Sequence, residues 1–219
     1  GTLDKGELTI TAVQDVFGMP STSMSVPQPP LWTAPDREPK PIVDSRLFER
    51  SWRDLAMTTD PANLELVPAT VSYLAVAAGQ PTSMHREYQL QTRVGNTAWI
   101  THETSAFTNS ATLLIAIGAQ DGTLQISMWD QQLAELEVGD AAMLGNEILR
   151  IDSINVNTKT LTVGRGCVDT LPQAHAAGSL LWFIDDSTAQ DSTEYAGGTT
   201  VQTRLLSQTS TGQLDPVQA

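Results

Sequence analysis

Leu8, Ile10 and Ala12 alternate with Thr9, Thr11 and Val13, and this period-two pattern predicts a strand over Leu8 to Val16, ended by Phe17-Gly18 and Pro20. Pro27, Pro29, Pro30, Pro35, Pro39 and Pro41 then forbid regular backbone hydrogen bonding, so residues 21–43 are expected to be an extended connector. Its one large apolar side chain, Trp32, is expected to dock on a neighbouring surface. Leu47, Phe48, Trp52 and Leu55 recur near the helical period, which predicts a helix from Asp44 to about Met57, capped by Asp44 or Ser45. A second short helix is expected after Asp60-Pro61.

From Ala69 the pattern shortens to that of strands. Candidates are Val71 to Val76, Tyr88 to Val94, Ala98 to Ile100 and Leu113 to Ile117. Asp121-Gly122, a pair that tolerates positive φ, predicts a hairpin between Leu113–Ile117 and Leu124–Met128. After a turn at Val138-Gly139-Asp140, a second hairpin is expected from Glu147–Ser153 and Thr160–Gly164 around a polar loop, Asn155 to Lys159. Leu180 to Ile184 predicts a core strand, Asp185 to Ser192 an acidic solvated loop, and Thr199 to Leu206 a last strand before a polar tail. These elements predict a mainly β fold with one or two short helices, arranged as small β-barrel or sandwich-like modules. The expected divisions are a terminal strand of a preceding β module (1–20), the connector (21–43), a helix with strands (44–117), a two-hairpin β module (118–186), and an acidic loop, strand and tail (187–219).

Composition narrows the function classes. With 40% hydrophobic and 17% charged residues, the 219-residue chain is too apolar for a disordered acidic segment and too sparsely charged for a helix bundle. A net charge of −13 argues against direct nucleic-acid binding. No apolar run approaches a membrane span. The single Cys167 excludes an internal disulfide, and the three histidines lie at no metal-site spacing, so neither metal nor cofactor is expected. The start at Gly1, with a strand pattern already under way, is expected of a piece of a longer polypeptide.

Gly145-Asn146-Glu147-Ile148-Leu149-Arg150-Ile151, the Asn155 to Lys159 turn, Leu161-Thr162-Val163-Gly164-Arg165-Gly166, and Thr170 through His175-Ala176-Ala177-Gly178 make one pattern. It is an apolar strand with an acidic residue, a turn, a strand ending in Arg-Gly, then Thr and His-x-x-Gly before another apolar strand. This resembles bacteriophage tail proteins. Glu194 to Val201 with Arg204-Leu205-Leu206 is similar to the tail-tip hub proteins of siphophages and gene transfer agents. The resemblance implies a virion component of the tail tip or baseplate, homotrimeric and bound to other tail proteins, with Glu147, Arg165, Gly166, Thr170, His175 and Gly178 as its structural motif and Trp32, Trp129 and Tyr195 as interface candidates.

Beside it, the residues themselves offer little chemistry. His175 near Arg165, Glu147 and Asp169 resembles a polar active site in residue type, but lacks the nucleophile, base and orienting partner of a catalytic constellation. A structural role for His175 in a turn is expected, with Gly164 and Gly166 allowing a bulge around Arg165, which would clamp a carboxylate or carbonyl, for instance between subunits. Cys167 is expected to be a small buried residue, and His85 and His102 to have surface or packing roles. No enzyme is expected. A receptor- or carbohydrate-binding module using Trp99, Trp129, Trp182 or Tyr195 is the second expectation, and a tail-associated hydrolase with a carboxylate pair the third.

Overall fold

The structure is a computed structural model that describes residues 2–4, 7–9, 34–185 and 187–219. Trp32, the prolines before residue 34, the strand pattern beyond Thr9 and Asp186 lie outside the described residues. Two units divide at residue 35. In the first, β1 (Thr2–Asp4) and β2 (Glu7–Thr9) form an antiparallel ladder centred on Leu3 opposite Leu8.

The second unit opens with β3 (Ser45–Glu49), followed by α1 (Trp52–Thr58) and α2 (Pro61–Leu64). The helix expected from Asp44 is therefore a strand for its first half. Leu47 and Phe48 satisfy helical spacing, but a five-residue stretch with two apolar residues fits both periods, and here the edge of a sheet decides. Leu47 pairs with Val76 and Phe48 with Ala75. Ser51, rather than Asp44 or Ser45, caps α1 by accepting from the Asp54 amide. Asp60 caps α2 through the Ala62 amide, with Pro61 in the first turn as expected.

Four strands follow: β4 (Val71–Ala78), β5 (His85–Val94), β6 (Ile100–Ala106) and β7 (Ser110–Leu113). Then come β8 (Thr123–Ser127), α3 (Asp130–Glu135), β9 (Ala141–Leu144), β10 (Glu147–Asn155), β11 (Thr160–Cys167) and β12 (Leu180–Phe183). The chain ends in β13 (Ala189–Ala196), β14 (Val201–Thr209) and β15 (Gly212–Gln213). The fold is mainly β, and it is built as two bodies within this unit.

β10, β11, β8, β7, β12 and β9 close, in that order, into an antiparallel barrel. Its interior is one continuous apolar core that includes Leu113, Leu124, Ile126, Leu144, Leu149, Ile151, Leu161 and Phe183. These residues supply the inward face of each strand, and closure leaves no free edge along the ring. The other body is a pair of sheets, β13-β4-β3 and β15-β14-β5-β6. Val76, Ala78, Tyr88, Leu90 and Ala189 form its smaller core, with Ile42, Phe107 and Leu205 against it. The barrel is thus an insertion between β6 and β13, and the expected division at 117/118 falls inside it, between β7 and β8.

β4 couples the bodies because it is buried on both faces over its last residues. Val76 and Ala78 face the sheet core, while Ala77 joins Met143, Ile148 and Trp182 in a separate cluster on the barrel's outer wall. Small alanines let the two surfaces approach closely, and Trp182, 5% exposed, fills the junction. Arg53 of α1 adds a two-pronged ion pair to Asp185 at 2.8 and 2.7 Å, and Asp185 also accepts the Ala141 amide. Asp185 to Ser192 is therefore not a solvated loop throughout. Asp185 is engaged in the junction, and the segment enters β13 at Ala189.

The first barrel hairpin also departs from expectation. Neither Asp121 nor Gly122 has positive φ. The connection from β7 to β8 is long, and Asp121 turns it by accepting the Gly118 amide at 2.7 Å. No helix among the described residues is long and apolar enough to cross a membrane.

Candidate functional site

The residues of the sequence motif meet where β10 and β11 part. Ile148 pairs with Cys167 and Arg150 with Gly164, so β11 carries an extra residue, a bulge that re-aims Arg165. Gly166 is required there. Its φ is +60°, and a Cβ would lie 2.6 Å from Cδ of Pro172. Val168 and Asp169 continue the turn at positive φ, a conformation that non-glycine residues adopt only under strain. Thr170 ties the turn to β10 by accepting the Ile148 amide at 3.0 Å and donating to the Cys167 carbonyl at 2.7 Å.

Glu147 lies at the centre with its side chain 0% exposed. Arg165 donates to it through Nε (2.7 Å to Oε1) and Nη2 (2.8 Å to Oε2). The Gly166 amide donates to Oε1, and the Gln173 amide and His175 Nε2 donate to Oε2, each at 3.0 Å. A carboxylate only accepts, so the contact assigns the proton of His175 to Nε2. Arg165 spends its remaining donors on the Gly118, Asp121 and Gln173 carbonyls at 2.9, 2.7 and 2.6 Å. The His175 backbone exchanges two hydrogen bonds with Ile117, and Gly178, at φ +86°, donates to the Leu113 carbonyl. Two loops at one end of the barrel are thereby pinned to a single carboxylate.

Burial alone would push the Glu147 carboxyl up. The bonds from Arg165, His175, Gln173 and Gly166 outweigh it and hold the group ionised, down to about 2. A carboxylate this strongly stabilised, with its acceptor positions filled, is a poor proton acceptor at neutral pH. The Arg165 clamp is made within this chain, so the expected clamp between subunits is not what engages it.

The interface candidates separate. Trp129 is 80% exposed at the start of α3. Tyr195 is buried, its hydroxyl donating to Asp191 Oδ2 at 2.5 Å and lying 3.2 Å from Thr92 Oγ1. Tyr195 and Trp182 are thus unavailable for stacking on a ligand. Trp99 is half-buried against Arg93 and Arg204. Cys167 is half-buried, not fully buried, at the edge of the junction cluster.

A second polar centre went unseen in the sequence. Asp191, fully buried on β13, accepts from Tyr195 and from the Thr193 amide, and His102 Nε2 lies 3.5 Å away while contacting Thr92 Oγ1 at 2.8 Å. Burial raises the Asp191 carboxyl, but the Tyr195 and Thr193 bonds, with the nearby His102, bring it below its ordinary value. Burial and the Asp191 bond push the Tyr195 hydroxyl up. His102 also lines an open polar cleft of about 540 Å³ with Thr104, Gln190 and Ser192. His85, 1% exposed, is a packing residue that accepts the Lys40 amide through Nε2 and faces Thr82 Oγ1 through Nδ1. No group of three or more His, Cys, Asp or Glu side chains among the described residues is placed to hold a metal ion. No protein family matches the chain, and no curated protein is similar to it.

Proposed function

We propose that the chain is a structural component of a bacteriophage-type tail tip or baseplate, part of a hub protein of the siphophage or gene-transfer-agent kind. On the virion it assembles with other tail proteins as a homotrimer and supports host attachment or DNA delivery. The observation that carries this reading is that the Glu147 to Gly178 pattern, the part that resembles phage tail proteins, forms two strands and the clamped end of a closed barrel, where its polar residues are spent on each other. Such a barrel, inserted into a sheet body through a packed junction, suits a part that transmits position and load. We assign it no catalytic role.

The test is native mass spectrometry of the purified chain together with cryo-electron microscopy of particles assembled from the locus that encodes it. A trimer, and tail-tip density that fits the barrel and sheet bodies, are expected. A chain that stays monomeric and is missing from purified tails contradicts the proposal. The second reading is a receptor- or carbohydrate-binding module, favoured by the exposure of Trp129. Glycan binding lost on Trp129→Ala would support it.

A further inference from the structure

β5 is one of the two inner strands of its sheet, paired on one side with β6 and on the other with β14. Register places Gln91 opposite Arg204 and Arg93 opposite Gln202, all on the face turned away from the Tyr88-Leu90 core. Each guanidinium is fixed by an amide: Arg93 Nε donates to Gln202 and Arg204 Nε to Gln91, both at 2.6 Å. Trp99, brought back over this face by the turn before β6, lies 4.4 Å from Arg93 and 4.3 Å from Arg204. One ring therefore holds two like charges within about 9 Å of each other, a spacing at which they repel and an anion is attracted by both.

Six of the other described cations are spent on carboxylates, and Arg37, Arg46 and Arg86 are not. Lys40, Arg50, Arg53, Arg150, Lys159 and Arg165 each meet a carboxylate. Arg93 and Arg204 meet none, and among the described residues their terminal amines have no protein acceptor and are not sealed from solvent. Planar, pre-oriented guanidiniums with open ends match a carboxylate.

We propose that Arg93 and Arg204, held by Trp99, Gln91 and Gln202, form a binding site for a carboxylated saccharide. A peptide strand fits poorly, because the backbone of β5 is already paired on both sides and offers no edge to extend. The face also carries side-chain amides and hydroxyls that suit sugar hydroxyls: Gln208, together with Gln89 and Gln213, which bond each other, and Thr101, which accepts from Gln91, each with capacity for a further bond. Trp99 positions the guanidiniums instead of stacking on the sugar. The inference goes beyond the tail-module reading and does not depend on it, since a monomeric chain would bind equally.

The test follows the Trp99 indole and arginine Nε–H resonances by NMR while oligogalacturonate, its methyl ester, or sodium acetate is added to the whole chain. Saturable shifts with the acid, at least tenfold weaker binding by the ester and by acetate, and at least tenfold weakening in Arg93→Gln and Arg204→Gln are expected. Equal binding of acid and ester, equal binding of acetate, self-association through this face without ligand, or unchanged affinity in both variants would overturn the site. If a variant misfolds, the comparison of acid with ester on the unaltered chain decides alone.

Discussion

The barrel and the sheet body reach stability by different routes. The barrel closes its strands on a long, continuous apolar core and places its one buried ion pair at the end, where Glu147 pins two loops. The sheet body has a smaller core and puts polar groups inside it: Asp191, Tyr195 and Thr92 on one side, and on the other the Tyr88 hydroxyl, which donates to the Val76 carbonyl and accepts the Ala189 amide. Burial raises the Tyr88 hydroxyl and keeps it protonated for that task. Closure pairs the barrel's strand edges, and side chains take up backbone amides at its clamped end, where Glu147 accepts from Gly166 and Gln173 and Thr170 accepts from Ile148. The open sheets set polar side chains inside their core as well, and they also lean on the barrel through Trp182.

The largest effect is expected at the clamp. Glu147→Gln leaves the Arg165 charge buried without its counter-ion and should cost about 4 kcal/mol. Hydrogen exchange should then rise first in β10 and β11, and equal loosening of β5 and β14 would erase the distinction between the bodies. Trp182→Ala should cost about 3 kcal/mol and split urea unfolding into two transitions, because it empties the junction and neither core. A single unchanged transition would mean that the bodies are not coupled there. Asp191→Asn should cost about 1–2 kcal/mol, with faster exchange confined to β5, β6 and β13. Trp129→Ala should stay within about 0.5 kcal/mol in thermal unfolding, since it removes an exposed ring.

Acid weakens both bodies, and Glu147→Gln separates their shares. The Glu147 carboxyl sits near 2 in the folded chain against an ordinary 4.5. Its contribution is complete above about pH 4.5 and is lost as pH falls through 2, about 3 kcal/mol in all. Asp191 is shifted in the same direction, so the sheet body also weakens in acid, whereas Glu147→Gln should remove the barrel's share of this dependence.

Strand patterning made the β10–β11 hairpin, β14 and most of β5 legible through apolar residues set among polar ones between turn residues, and β12 through a short continuous apolar run. The motif residues were singled out through the resemblance to tail proteins and not through periodicity. Their common centre was legible in part: Gly164 and Gly166 pointed to a bulge and a clamp at Arg165, but the turn at Val168-Asp169 that brings in Thr170, Gln173 and His175 has no periodic signature. β3 was misread because five residues fit two periods. β6 and β13, rich in Thr, Ser, Glu and Gln, carry too little apolar contrast to show as strands. For the same reason Asp191 looked like a solvated acid, and only the long-range pairing of β13 with β4 buries it.

Glu147 acts as an ionised structural pin, its carboxylate held by Arg165, His175 and two backbone amides. Carbon-13 NMR titration of its side-chain carboxyl tests this directly: a midpoint near pH 2 is predicted. A midpoint at or above 4.5, the behaviour of an acid-base catalyst or of a clamp that does not form, would contradict it.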